Sequence, residues 1–330
     1  MTIANDLALR DVRGLVRDVV GRIEPGQMSQ EHAQAMLAQL TELGLLDIGS
    51  DPADGGLGLE GAAVVLGQLS RGWGSLAWAA FPRVLLGALA AGPPAGVIGL
   101  AASHLGAFAR GARLTTDGQV SGTLAGVLNG ASAGLILVLG PEAVAIVGPD
   151  AIGKVADGDQ FEGFRYVRHD DVTVDGTGQP LAVQPEQAAT VARALTAAVA
   201  VGIAEASIVS ARDYQRQRIQ FGRPIAEFGE MRAMLADAAA QAYAARQAVL
   251  AAARLSPSAA DTAAAAASAF LRASAAAVRA SEMAQHSHGG YGHMAEFGVH
   301  DLVRDARMVA VCSGPRPDLD EAVLSGIDLV

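Results

Sequence analysis

The segment Arg212 to Phe228, RDYQRQRIQFGRPIAEF, sets Arg212, Arg216 and Arg218 just ahead of a helix break at Phe221-Gly222-Arg223-Pro224. Glycine frees the backbone at that point, and proline cannot continue a helical hydrogen-bond ladder. Cations in a last helical turn complement the negative end of the dipole, and their guanidinium forks can also grip an anion. Further along, HSHGGYGH gathers His286, His288 and His293 around glycines, and VRDAR follows at Val303 to Arg307. Imidazoles are common metal ligands, yet a zinc site needs three or four convergent donors. Gly289 to Gly292 leave the direction of the third histidine open, so no metal is expected.

Helices must carry these groups. From about Asp11 to Gly92 apolar residues recur at helical spacing, as in Ala33, Met36, Leu37 and Leu40, with a loop at Asp51-Pro52 and Gly55-Gly56. From roughly Ala107 to Gln187 the texture changes to short runs bounded by Gly and Pro. Leu135 to Leu139, Val144 to Val147, Tyr166-Val167 and Val172-Thr173-Val174 read as strands. Helix returns from Pro185, with breaks near Phe221-Gly222, Ser256-Pro257 and Gly289 to Gly292. The order is an α+β fold: an N-terminal helical domain over 1–103, a small middle β domain over 104–184 and a C-terminal helical bundle over 185–330.

Composition narrows the function classes. The chain is 51% hydrophobic, with alanine the largest contributor, and stretches such as Ala259 to Ala277 read as closely packed bundle helices. No unbroken apolar run of about 18 residues stands out, so no membrane span is expected. No basic, apolar, cleavable leader is expected, because Asp6, Arg10 and Asp11 are scattered through the first turns. The single cysteine, Cys312, excludes an internal disulfide framework, fits a reducing cytoplasm and reads as a buried, inert thiol. A net charge of −10 argues against nucleic acid as a partner.

In order along the chain, R-x-x-FG-x-P-I, then H-GG-Y-G, then RDAR resembles the C-terminal half of the acyl-CoA dehydrogenases. Leu43 to Gly61 looks like that family's helix and P-x-x-x-GG turn, and Val120 to Val138 resembles the opening of its β domain. The resemblance implies an acyl-CoA-dehydrogenase-like fold ending in a four-helix bundle. It implies FAD as cofactor, held between the β domain and the bundle with help from a second subunit. Arg218 and Phe221 match the pair that meets the FAD pyrophosphate of the neighbouring protomer, where a guanidinium fork suits two phosphate oxygens. Gly289 and Gly290 match a GG pair at which backbone approaches the nucleotide, with His286 at the position of a glutamine three residues earlier. Arg193 stands at the family's active-site arginine, and a surface cation on an amphipathic helix is the alternative. The resemblance makes Asp170-Asp171 a strand entry.

The family's chemistry needs a carboxylate to remove the α-proton of an acyl thioester while the β-hydride leaves to flavin. Its two positions in the family fall here on Ala192 and Ser313, and neither side chain is a carboxylate. His286 and Glu296 are therefore candidates for a displaced base. The T-E-x-x-x-GSD loop has no counterpart in the shorter Val97 to Leu114, and Gly126 and Leu128 stand where the family places an aromatic and a hydroxyl residue beside the flavin ring. Adenine-end handles survive and reaction-end handles do not. The leading expectation is a flavin-linked acyl-thioester dehydrogenase in which this chain is one subunit of an oligomer with a complete acyl-CoA-dehydrogenase-like chain, acting on a CoA or acyl-carrier-protein thioester. Alternatives are a repurposed tailoring enzyme on the same scaffold, flavin monooxygenase or flavin-independent, and a non-catalytic scaffold subunit. FAD is then shared with the partner or lost.

Overall fold

The computed structural model describes residues 3–21, 29–50, 56–90, 94, 96–105, 107–108, 110–158, 160, 163–165, 167–256 and 261–326. Four helices come first: α1 (Ile3–Val20), α2 (Gln30–Glu42), α3 (Gly58–Gly72) and α4 (Gly74–Leu89). Helical spacing resumes over Gly61 to Leu89, and the structure makes two helices of that stretch. Trp73 takes an extended conformation (φ −162°) between Gly72 and Gly74 and breaks the run without a proline. The loop residues Asp51, Pro52 and Gly55 lie outside the described residues.

An eight-stranded sheet follows, made of β1 (Ile98–Ala102), β2 (Arg113–Leu114), β3 (Gln119–Leu128), β4 (Leu135–Leu139), β5 (Val144–Val147), β6 (Ile152–Asp157), β7 (His169–Thr177) and β8 (Gln179–Pro180). Its order is β6-β7-β3-β1-β4-β5-β8, with β2 on β3; only β1 and β4 pair in parallel. Alternation along the strands divides two cores. Leu100, Leu137 and Leu139 face the helices, whereas Ala101, Ile136 and Val138 fill the sheet's other side. β4 and β5 occupy the runs read from sequence. Val167 is not in a strand: its N–H donates to the Phe164 carbonyl in a turn (2.8 Å) before β7, and Tyr166 lies outside the described residues.

Asp170 and Asp171 in β7 tie down backbone in and beside β3. Asp170 accepts from the Ala131 N–H (2.8 Å) and pairs with Arg168, while Asp171 accepts from the Gly126 N–H (3.1 Å) and pairs with Arg110. Both carboxylates are buried and satisfied, which is the structural role that a charged pair in such a place requires.

The C-terminal part consists of α5 (Pro185–Gln217), a two-strand hairpin of β9 (Ile219–Gln220) and β10 (Arg223–Pro224), then α6 (Gly229–Ala253), α7 (Thr262–His288), α8 (Val299–Val309) and α9 (Arg316–Ser325). Helix α5 is the hub, packing on α3, α4, α6, α7 and α8. By length and composition α5 could cross a bilayer, with mean hydropathy 1.8 in its most apolar 18-residue window, yet 72% of that window is buried inside the fold. It is the core helix of the bundle. Thr190, Arg193, Thr196, Gly202 and Glu205 interrupt it, so it is not an unbroken apolar run.

Small residues let α3 approach α5 closely. A Cβ on Gly202 would stand 1.9 Å from Ser70 Oγ and 2.3 Å from the Gly67 carbonyl, and Ser70 Oγ donates to the Val199 carbonyl at 2.7 Å. On α8, Asp305 of the RDAR run is buried and accepts from the Phe164 N–H at 2.6 Å. Burial pushes its carboxyl up to about 7, against the pull of the Phe164 hydrogen bond.

Two outcomes follow from these contacts. Gly202→Ala must part α3 from α5 and should destabilise the chain by about 1–3 kcal/mol, seen as a lower thermal midpoint. Asp305 protonates more readily folded than unfolded, so its contribution is fully present below about pH 4 and lost as pH rises through about 7. Asp305→Asn, which keeps an acceptor for Phe164, should therefore gain stability relative to wild type as pH is raised from 4 to 8 in denaturation scans.

Candidate functional site

The C-terminal ends of α5 and α7 lie side by side. Gln215 Nε2 donates to Ser287 Oγ at 2.9 Å, and Tyr214 stacks on the buried His288 with ring centroids 4.0 Å apart. The His288 Nδ1–H donates to the Ala284 carbonyl (2.8 Å), and burial holds this imidazole below its usual range. Phe297 packs edge-on against both Tyr214 and His288. Tyr291 joins the cluster beside Phe297, and the Arg218 guanidinium lies 5.8 Å from the Tyr291 ring centroid.

Two short turns project from this platform. In the hairpin, Phe221 (φ 52°) and Gly222 (φ 80°) both have positive φ, as a two-residue type I′ turn requires. Glycine accepts that conformation freely; phenylalanine does not, at a cost of about 1 kcal/mol. The Phe221 side chain is nonetheless 93% exposed, touching Phe228 only edge-on, while Arg223 lies over the Phe228 ring at 4.4 Å. In the second turn Gly289 ends α7 with φ 58°. Nothing lies within 4 Å of a Cβ built on Gly289 or Gly290, so the surface above them is open. Arg212 pairs with Asp213, but Arg216, Arg218 and Arg223 form no ion pair among the described residues.

Arg218, Phe221, Gly289, Gly290 and the exposed His286 thus share one end of the bundle. Glu296 is there too, exposed beside Phe297. The three histidines diverge: His286 faces solvent, His288 is buried in the aromatic cluster and His293 lies 3.4 Å from Gln285. Among the described residues no three His, Cys, Asp or Glu side chains could share a metal ion.

Arg193 is elsewhere. It precedes Gln215 on α5 by roughly 33 Å at about 1.5 Å per residue, so neither His286 nor Glu296 lies near it. Its Nε has no hydrogen-bond partner, and burial lowers its pKa despite the field of Asp318. The imidazole of His104 is in the same neighbourhood, pushed down to about 4 by burial and by the Arg193 charge. A Cβ on Gly314 would stand 3.6 Å from that of His104, which brings Ser313 to this end of α5. Ser313 Oγ is buried without a partner, and Ala192 is buried within the bundle core. Cys312 is buried too, its thiol donating to the Met308 carbonyl and pushed up to about 12. Sequence reasoning passed over His104, a lone histidine in a loop, and over the Tyr214, Tyr291 and Phe297 cluster. Only the helix-end positions of Tyr214 and His288 hinted at the latter.

Residues 182–316 match the family model for the acyl-CoA dehydrogenase C-terminal domain. An acyl-CoA dehydrogenase of Bacillus subtilis (strain 168) is 44% identical over 118 residues, covering 36% of this chain and 31% of the relative. The match thus spans about a third of that relative's length. The butyryl-CoA dehydrogenase of Megasphaera elsdenii shares the fold, with a TM-score of 0.80 at 19% identity over 99% of this chain and 98% of that one. The Tcur3481-Tcur3483 steroid ACAD does so with a TM-score of 0.75 at 22% identity, over 98% of each chain. Residues 182–316 thus resemble the acyl-CoA dehydrogenase C-terminal domain, and the chain as a whole shares the helical, sheet and helical fold of these structures.

That family implies FAD, and the two ends of the molecule answer differently. Unpaired guanidiniums, an exposed ring and open glycine backbone suit the phosphate and adenine end of a nucleotide. At the ring end, Gly126 already gives its N–H to Asp171, and Leu128 is buried in the core. The chain's own residues fit the first end and not the second.

Phe221→Gly separates a role within the chain from one outside it. Removing an exposed ring from a positive-φ position should leave the isolated chain's thermal stability unchanged or raise it by up to about 1 kcal/mol. A loss of about 2 kcal/mol or more would mean that the ring packs within its own chain.

Proposed function

We propose that this chain is a flavin-linked, acyl-thioester dehydrogenase-like oxidoreductase subunit that works in the cytoplasm as part of a hetero-oligomer with a complete acyl-CoA-dehydrogenase-like chain. It lends Arg218, Phe221, Gly289 and Gly290 to the phosphate and adenine end of the FAD bound chiefly by that partner. When bound, FAD supplies the acceptor for the hydride lost by an acyl thioester carried on CoA or acyl carrier protein.

The observation that carries the reading is the hairpin. A phenylalanine held at positive φ and 93% exposed, with Arg218 and Arg223 free of carboxylates beside it, has only an edge-on contact with Phe228 among the rings of its own chain. A partner that covers the ring and brings an anion removes both costs. The other end supports the division of labour. Ala192 and Ser313 stand at the base positions implied by the family, and neither can take a proton as a carboxylate does. With no carboxylate at either of these positions, the base in this reading comes from the partner.

FAD content after gel filtration tests the reading, for the chain alone and co-expressed with a full-length relative, wild type against Arg218→Ala. Loss of one charge-assisted contact of about 1.5–3 kcal/mol should weaken FAD retention in the complex roughly ten- to a hundredfold. Absence of flavin from wild type in both settings would replace the flavin reading with a flavin-independent role. Flavin present but indifferent to Arg218→Ala would move the phosphate site elsewhere.

A further inference from the structure

Away from both ends of α5, a cleft of about 230 Å³ opens where α1, α3, α5 and α6 meet. Its rim carries four arginines, Arg13 and Arg17 from α1, Arg71 from α3 and Arg246 from α6, with Gln68 as a neutral donor and Glu205 as the one carboxylate. Glu205 is shared by Arg71 (3.4 Å) and Arg246 (3.2 Å). Arg13 and Arg17 form no ion pair among the described residues. They stand at i and i+4 on one face of α1, a like-charge spacing that costs a helix a few tenths of a kcal/mol.

In a chain of net charge −10, convergence of four guanidiniums on one carboxylate runs against the overall balance. Such a concentration of one sign in a partly walled cleft focuses the field on its interior. The lining also holds small residues such as Ala63, Gly67 and Ala198, and while Glu205 lies between Arg71 and Arg246, Arg13 and Arg17 are left without a carboxylate among the described residues. We propose that this cleft binds a phosphate-bearing small molecule through a diphosphate or phosphate group. Guanidinium forks pair bidentately with phosphate oxygens, and Gln68 adds a neutral donor. The cleft is smaller than the roughly 300–1,000 Å³ of sites that swallow a drug-sized ligand. It therefore holds the anionic head, and any remaining part of the ligand lies outside. The site is independent of the hairpin and of the flavin reading.

Isothermal titration of the full chain with inorganic diphosphate and with ADP, at ionic strength held constant with sodium chloride, tests this. The comparison is wild type, Arg13→Gln/Arg17→Gln and Arg218→Ala. We expect saturable diphosphate binding in wild type and in Arg218→Ala, weakened about tenfold or more in the double variant. Binding of ADP as well assigns an esterified diphosphate, and binding of inorganic diphosphate alone assigns the free anion. With no anion added, the double variant should melt at the same temperature as wild type or higher, because like-charge repulsion is relieved. A double variant less stable than wild type without anion would make the arginines structural and overturn the proposal. So would the absence of saturable diphosphate binding, or binding of poly-glutamate in its place, which would assign the cleft to an acidic protein segment.

Discussion

Everything in this molecule hangs on the close approach of α3 to α5 at Gly202. With no side chain there, the Ser70 hydroxyl reaches the Val199 carbonyl and the two helices lie nearly backbone to backbone. That crossing fixes α5 as an axis buried along most of its length, and α7 then packs along it over a run of alanines. Alanine contributes little area per residue, so stability comes from close contact over many positions. The result is one 33-residue helix enclosed by its neighbours along most of its length. Both candidate sites are displayed on it, at opposite ends.

The length of that helix explains why the two ends can diverge. The C-terminal end of α5 keeps a platform of Tyr214, His288, Tyr291 and Phe297, on which Arg218 and the Gly289 turn are held. At the N-terminal end, Arg193 and Ser313 are polar groups without partners, and unsatisfied groups of this kind cost about 1–3 kcal/mol each when buried. Substitutions at one end leave the contacts of the other untouched across a helix of this length. A chain can therefore keep a phosphate-facing surface while its reaction end changes.

The fold was largely legible in the sequence because it is written in period. Short apolar runs bounded by Gly and Pro, Leu135 to Leu139 and Val144 to Val147, read as strands where strands occur, and helical spacing with Gly and Pro punctuation marked the bundle. What failed was local. Trp73 ends a helix by adopting extended backbone between two glycines, and Val167 lies in a turn although it is β-branched, because packing of the fully buried Phe164 dictates the path there. The grouping of Arg218 with Gly289 could be read from motif order. The nearness of His104 to Arg193 could not, since a loop histidine and a mid-helix arginine share no spacing. Nor could the four-arginine cleft, whose members come from three helices far apart in sequence.

The placement of arginines says something that motifs do not. In an acidic chain most guanidiniums find carboxylates, and here Arg83 with Asp47, Arg254 with Glu60 and Arg316 with Asp320 do so. An arginine left unpaired beside others of its kind raises the energy of the isolated chain, modestly in water and more where walls exclude it. Two places in the described residues accept that cost: the hairpin end of α5, and the cleft bounded by α1, α3 and α6. Within the chain the offset is partial: the hairpin arginines lie against the Tyr291 and Phe228 rings but Phe221 stays exposed, and in the cleft Glu205 answers Arg71 and Arg246 but not Arg13 and Arg17. As proposed for the hairpin and for the cleft, an anion is what offsets the cost at each place.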